Sequence, residues 1–247
     1  MRAIAAITAI LLAAAPAAAT ENLVAGLSQD TVEITSNYTG TDIVVFGAIE
    51  QAEAGGNDVV VVLRGPDADM IVRKKDSVAG IWINRDQARL YGMPSYYYIA
   101  SSKPLAKIAD HDALQRYAIG LSNLAPERIS SHHDPKPFIA ALVRHEQQAG
   151  LYGESATGVE FLSPTLFRAH VPVPASVPRG QYNAEVYLFR GGTIMSAQST
   201  PLFIDQTGLE RRLFEAAHSS PLLYGLSTVL MGILMGWLSS VVFRRNA

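Results

Sequence analysis

The distribution of apolar residues changes character several times along the chain. Residues 21–101 hold short apolar or alternating runs punctuated by Gly, Asn, Asp and Pro, the pattern of strands joined by turns. It predicts strands over 31–35, 42–49, 59–63, 70–73, 80–84 and 96–101. The run Val59-Val60-Val61-Val62-Leu63 has no polar alternate, so both of its faces need cover and it should be a central strand. Gly55-Gly56-Asn57-Asp58 before it and Gly65-Pro66-Asp67 after it supply the turn residues.

Between Pro104 and Gly150 the spacing becomes helical. Leu114, Tyr117, Ala118 and Leu121 recur at intervals of three and four, which predicts a helix over 110–123. A second helix should start after Asp134-Pro135-Lys136-Pro137, with a proline in its first turn, and end at Gly150. Strand signals return from Val159 to Asp205, with Leu166–Val173, Tyr182–Phe189 and Thr193–Ile204 as candidates and a hairpin turn at Gly191-Gly192. The expected fold is therefore mainly β: an immunoglobulin-like β-sandwich, built from one or two pairs of sheets, with a helical insertion. Residues 20–102 and 156–205 are its two β-rich parts and 103–155 the insertion. A juxtamembrane helix is expected over 206–220, with Arg211, Arg212 and Glu215 on one side and Leu209, Leu213 and Phe214 on another.

Both ends are continuously apolar. Residues 1–19 combine Arg2, an apolar run from Ala3 to Leu12 and the small-residue box Ala17-Ala18-Ala19, the pattern of a secretory signal peptide. The run is shorter than the ~20 residues a bilayer needs. Residues 221–243 carry no charge and as a helix would reach about 34 Å, enough for one crossing of a ~30 Å hydrocarbon core. Tyr224 would lie near one interface and Arg244-Arg245 at the other, so 244–247 reads as a cytoplasmic tail. Thr228, Gly232, Gly236 and Ser240 fall four apart and form a small-residue stripe on which another helix could pack closely.

Composition and charge narrow the function. Hydrophobic residues make up 49%, but the two ends hold much of the excess, so the middle is ordinary globular material. There is no cysteine, which rules out disulfides, a thiol nucleophile and covalent haem attachment. Without Arg2, Arg244 and Arg245 the remainder is acidic overall and has no polybasic stripe, so nucleic acid is not an expected partner. Its densest basic cluster, Arg73-Lys74-Lys75, follows Met70-Ile71-Val72, where charge commonly guards an exposed strand edge.

Catalytic motifs do not emerge. His145-Glu146-Gln147-Gln148-Ala149 puts alanine where a helical zinc motif needs its second histidine. His132-His133-Asp134 lies in a loop of Ser and Pro, and the pairs Asp67/Asp69 and Asp110/Asp112 suit turns and helix starts. No catalytic residue, metal ligand or cofactor is expected, and the chain does not read as an enzyme. Trp82, Tyr91, Tyr96, Tyr97 and Tyr98 form one aromatic-rich area. Alternation sets Tyr96 and Tyr98 on one face and Tyr97 with Ile99 on the other, giving core rings plus an exposed one. Arg73, Lys74, Lys75, Trp82 and Tyr97 make up the candidate ligand or interaction surface.

Several segments carry a resemblance: Glu33–Asp42, Val61–Pro66, Ala79–Asn84, Glu185–Arg190, Gln198–Phe203 and Pro221–Gly225. In these the chain resembles the putative transmembrane protein family of alphaproteobacteria, whose function is not established. The resemblance implies an inner-membrane protein and supplies no catalytic residues. It also implies a neighbourhood of sulfite or organic-anion exporters. The expectation is a single-pass inner-membrane protein with a periplasmic β-rich part, assembling with another inner-membrane protein or with itself. The alternative is a periplasmic ligand-binding module serving an anion transporter.

Overall fold

The structure, a computed structural model, describes residues 23–35, 38–50, 56–78, 80–206 and 217–244. The expected signal peptide, most of the juxtamembrane helix and residues 245–247 lie outside the described residues.

Strands β1 (Leu23–Leu27), β3 (Thr41–Ile49), β10 (Val159–Phe161) and β11 (Leu166–Val173) form a four-stranded sheet in the order β1-β3-β11-β10. A six-stranded sheet takes β2 (Thr31–Ile34), β4 (Asn57–Arg64), β7 (Tyr97–Ser101), β9 (Tyr152–Ser155), β12 (Gly180–Arg190) and β13 (Thr193–Gln206). Its order is β2-β13-β12-β4-β7-β9, antiparallel except for the two outermost pairs, β2 with β13 and β7 with β9. The long hairpin β5 (Asp67–Val78) and β6 (Ile81–Pro94) joins β8 (Arg128–Ser131) in a third sheet.

The six-stranded sheet is the central layer because its middle strands β4, β7 and β12 are apolar on both faces. Along β4, Val59, Val61 and Leu63 enter one core while Val60 and Val62 enter another. Along β12, Ala184, Val186 and Leu188 join the first, and Tyr187 and Phe189 the second. The first core is shared with Ile43, Val45, Phe167, Ala169 and Val171 of the four-stranded sheet. The second is closed by Ala88, Leu90 and Met93 of β6 and by the helical region through Leu105, Ile108, Leu114, Phe138 and Leu142. The central position expected for 59–63 is thus realised. The fold is mainly β with layered sheets; the immunoglobulin-like subclass is a finer assignment that this strand order does not establish.

The two β-rich parts alternate within the same sheets. Strand β3 pairs with β11, and β4 with β12, so neither part completes a sheet alone. The turn at Gly191-Gly192, with φ of 55° and 86°, joins β12 to β13 as expected. Three strand glycines sit directly opposite aromatic residues: Gly26 with Phe46, Gly47 with Phe167, and Gly153 with Tyr98. At each, a Cβ would meet the ring within 3.3 Å, so the ring occupies the space that the missing side chain leaves.

The insertion differs from expectation in two ways. It contributes strands β8 and β9 as well as helices α1 (Leu105–Ile108), α2 (His111–Arg116) and α3 (Lys136–Gln148). The helix expected over 110–123 stops at Arg116, and a 3-10 turn covers Leu121–Asn123. Ala118 has φ +50° and Gly120 φ +111°. The cause is tertiary: the Tyr97 hydroxyl donates to the Ala118 carbonyl at 2.7 Å and accepts from the Gly120 N–H at 3.2 Å. These bonds take the backbone groups that a continuing helix would have used.

Candidate functional site

Two exposed regions stand apart from the cores: an isolated C-terminal helix and the outer half of the β5–β6 hairpin.

Helix α4 (Pro221–Arg244) is 24 residues long, about 36 Å at 1.5 Å per residue. Its window Pro221–Ser240 has a mean hydropathy of 1.6, and none of it is buried against the rest of the chain. In water such an all-round apolar helix would be strongly unfavourable, whereas a bilayer solvates it. The Ser227 and Thr228 hydroxyls donate to the Tyr224 carbonyl, each at 2.8 Å, so both polar groups are satisfied within the helix. Thr228, Gly232, Gly236 and Ser240 are all exposed, and a Cβ placed on Gly232 or Gly236 would meet nothing within 4 Å. Among the described residues, the stripe has no partner from its own chain.

The hairpin is buried only at its base. Ala88, Leu90 and Met93 are buried and Val72 is half-buried, but beyond them Ile81, Trp82 and Ile83 are 67%, 71% and 44% exposed. Arg73, Lys74 and Lys75 are exposed on β5, which is the outer strand of the third sheet. That is the edge position expected for them. A register shift between Lys74 and Lys75 leaves Arg85 as the extra residue on β6. Such a bulge bends and twists the ribbon locally. Arg85 pairs with Asp76 at 3.2 Å, and His133 lies 3.6 Å from Asp86. Arg73, Asn84, Arg85, Asp86, Gln87, His132 and His133 line an open cleft of about 450 Å³. Asp134, beside these histidines, instead accepts the Lys136 N–H at 3.1 Å at the start of α3.

The structure therefore brings Arg73, Lys74, Lys75 and Trp82 onto one hairpin and leaves Tyr97 out. Tyr97 is fully buried in the second core, edge-on to Tyr152, with the Arg64 guanidinium 5.0 Å from its ring centre. As a surface contact it is corrected: its hydroxyl fastens the 118–120 turn to β7, and Tyr98 is the partly exposed ring of the group. Burial raises the Tyr97 phenol to about 12, although the nearby Arg64 pulls the other way. Ile81, Ile83, Arg85 and the two loop histidines belong to the exposed hairpin region and were not singled out from sequence as one surface. The signal was present in Ile81-Trp82-Ile83, where three consecutive apolar residues break the alternation of a one-faced strand.

These features define a mainly β protein with one candidate membrane span at its C-terminal side. Over residues 22–245 the chain matches the family described as Putative transmembrane protein (Alph_Pro_TM), and it belongs to that family. No curated protein matches it.

Proposed function

We propose that this is a non-enzymatic accessory protein of the bacterial inner membrane, holding its β-rich part in the periplasm and assembling with another inner-membrane protein through α4. The single observation that carries the reading is the bare stripe on α4. A helix needed only as a tether can be apolar all round, but Thr228, Gly232, Gly236 and Ser240 in line let a second helix approach closely. The secretory pattern of residues 1–19 and Arg244-Arg245 after the span support the orientation.

The test follows from the open space around the stripe. A Cβ at Gly232 or Gly236 meets nothing within 4 Å on this exposed face, so Gly232→Leu with Gly236→Leu should leave folding and membrane insertion unchanged. Recovery of the co-purifying membrane protein from mild detergent should fall roughly tenfold, as expected when close helix packing is lost. Unchanged recovery would reject assembly through this stripe.

A second reading, a module presenting an anion to a transporter, is supported by the cleft. Arg73 and Arg85 line it together with His132 and His133. It predicts thermal stabilisation of the full-length protein by small anions, lost in Arg73→Gln.

A further inference from the structure

The distal hairpin combines three properties that guarding a sheet edge does not explain. First, its apolar residues occupy both faces. Trp82 stands opposite Ser77 and Ile83 opposite Asp76, and adjacent strand residues point to opposite sides. A one-sided docking surface would leave one face polar; a wedge immersed in an apolar medium needs neither. Second, the apolar tip is collared by cations. Arg73, Lys74, Lys75 and Arg85 outnumber Asp76 and Asp86, and Asp76 is engaged by Arg85 at 3.2 Å. Among the described residues, no acid pairs with Arg73, Lys74 or Lys75. This local excess lies on a part of the chain that is acidic overall. Third, the tip stands clear of the core: the six steps along β6 from Ala88 back to Trp82 cover roughly 20 Å at 3.3 Å per residue.

We propose that the β5–β6 tip is a second membrane contact. Ile81, Trp82 and Ile83 enter the boundary between headgroups and acyl chains, and Arg73, Lys74, Lys75 and Arg85 lie on anionic headgroups. The bilayer is chosen over a protein partner on three grounds. The chain already meets it through α4, the collar is complementary to anionic lipid, and tryptophan with aliphatic residues above a basic ring is the composition of interfacial elements. Fourteen residues, 207–220, lie between β13 and α4 in the chain. The contact would fix the attitude of the β-rich part over the membrane. It does not require the stripe on α4 to have a partner.

The chain has two tryptophans, so Trp237→Phe leaves Trp82 as the only reporter in the full-length protein. The protein is placed in nanodiscs of 3:1 phosphatidylethanolamine and phosphatidylglycerol, with bromine on the acyl chain near the headgroup. Trp82 emission should be blue-shifted and quenched roughly twofold by the lipid bromines, as for an indole at the interface. Arg73→Gln with Lys74→Gln and Lys75→Gln should remove most of that quenching, as should phosphatidylcholine discs. Ile81→Ser with Ile83→Ser, at exposed positions, should do the same without altering the far-ultraviolet circular dichroism. Free access of aqueous iodide to Trp82 with no bromine quenching would overturn the proposal. So would quenching indifferent to phosphatidylglycerol. Shielding of Trp82 without lipid quenching would instead assign the tip to a protein or a second copy, and would equally overturn it.

Discussion

Gly47→Val is expected to cost about 3 kcal/mol or more, the upper part of the range for overfilling a close-packed core. A Cβ at Gly47 would come within 2.5 Å of the Phe167 ring and 2.7 Å of the Val24 carbonyl oxygen. The ring could turn aside, but the carbonyl belongs to β1, which is paired along β3, so relief on that side means moving a strand. Phe167 is fully buried where the four-stranded sheet meets the central one, and its displacement would open the first core. The loss should appear as a lower denaturation midpoint of the detergent-solubilised protein. Adding Phe167→Ala should restore little, because the clash with the carbonyl remains and the ring's own packing is lost. Gly56→Ala, where a Cβ meets nothing within 4 Å, is the neutral control.

Alkaline unfolding should be abrupt and should carry buried tyrosines with it. Burial raises Tyr97 to about 12 and pushes Tyr96, Tyr152, Tyr182 and Tyr187 further up. At Tyr187 the adjacent Glu185 carboxylate, which accepts its hydroxyl at 2.9 Å, adds to the effect. A group whose folded pKa is raised keeps its proton more tightly in the folded state. Its stability contribution is full below the unfolded value near 10 and is lost as pH climbs through the folded value. For Tyr97 that window runs from about 10 to about 12. Tyrosinate absorbance should therefore rise in two parts: exposed tyrosines first, then the buried set together with loss of circular dichroism. A single smooth titration centred near 10, with the fold intact, would contradict the burial. Tyr97→Phe should lower stability at neutral pH by about 1–3 kcal/mol, because it removes the hydroxyl that serves the Ala118 carbonyl and the Gly120 N–H.

What the sequence revealed and what it hid follow one rule. Patterns carried by a segment's own side chains were legible: the two-faced run 59–63, the proline-started helix α3, the Gly191-Gly192 hairpin and the apolar span of α4. Features decided by distant groups were not. The end of α2 depends on a tyrosine in another strand, and the edge strands β1, β8 and β9 are short and weakly patterned. The hairpin fell between these cases. The sequence pattern marks only 70–73 and 80–84 of its strands, far short of Asp67–Val78 and Ile81–Pro94, because polar residues on an exposed ribbon carry no core-facing alternation. Trp82 and Arg73-Lys74-Lys75 are grouped as one candidate surface from sequence, and the strand register sets them on the two strands of one hairpin while Tyr97 falls in the core. Alternation places Tyr97 on the face it shares with Ile99, and both faces of β7 are covered.

The alternation of early and late segments in the sheets bears on the order in which this protein can be made. As the chain grows from its N-terminus, β3 must wait roughly 120 residues for β11, and β4 a similar length for β12, a delay that makes non-local sheets slow to form. Until then one backbone edge of β3 and one of β4, with unpaired N–H and C=O groups, are open to wrong pairing. The strands that close the central layer arrive last, and only residues 207–220 separate β13 from α4. Closure of the fold and lodging of the anchor thus fall at nearly the same moment of synthesis. Either the unfinished sheets are held by a chaperone until then, or they are exposed for most of the time the chain takes to emerge.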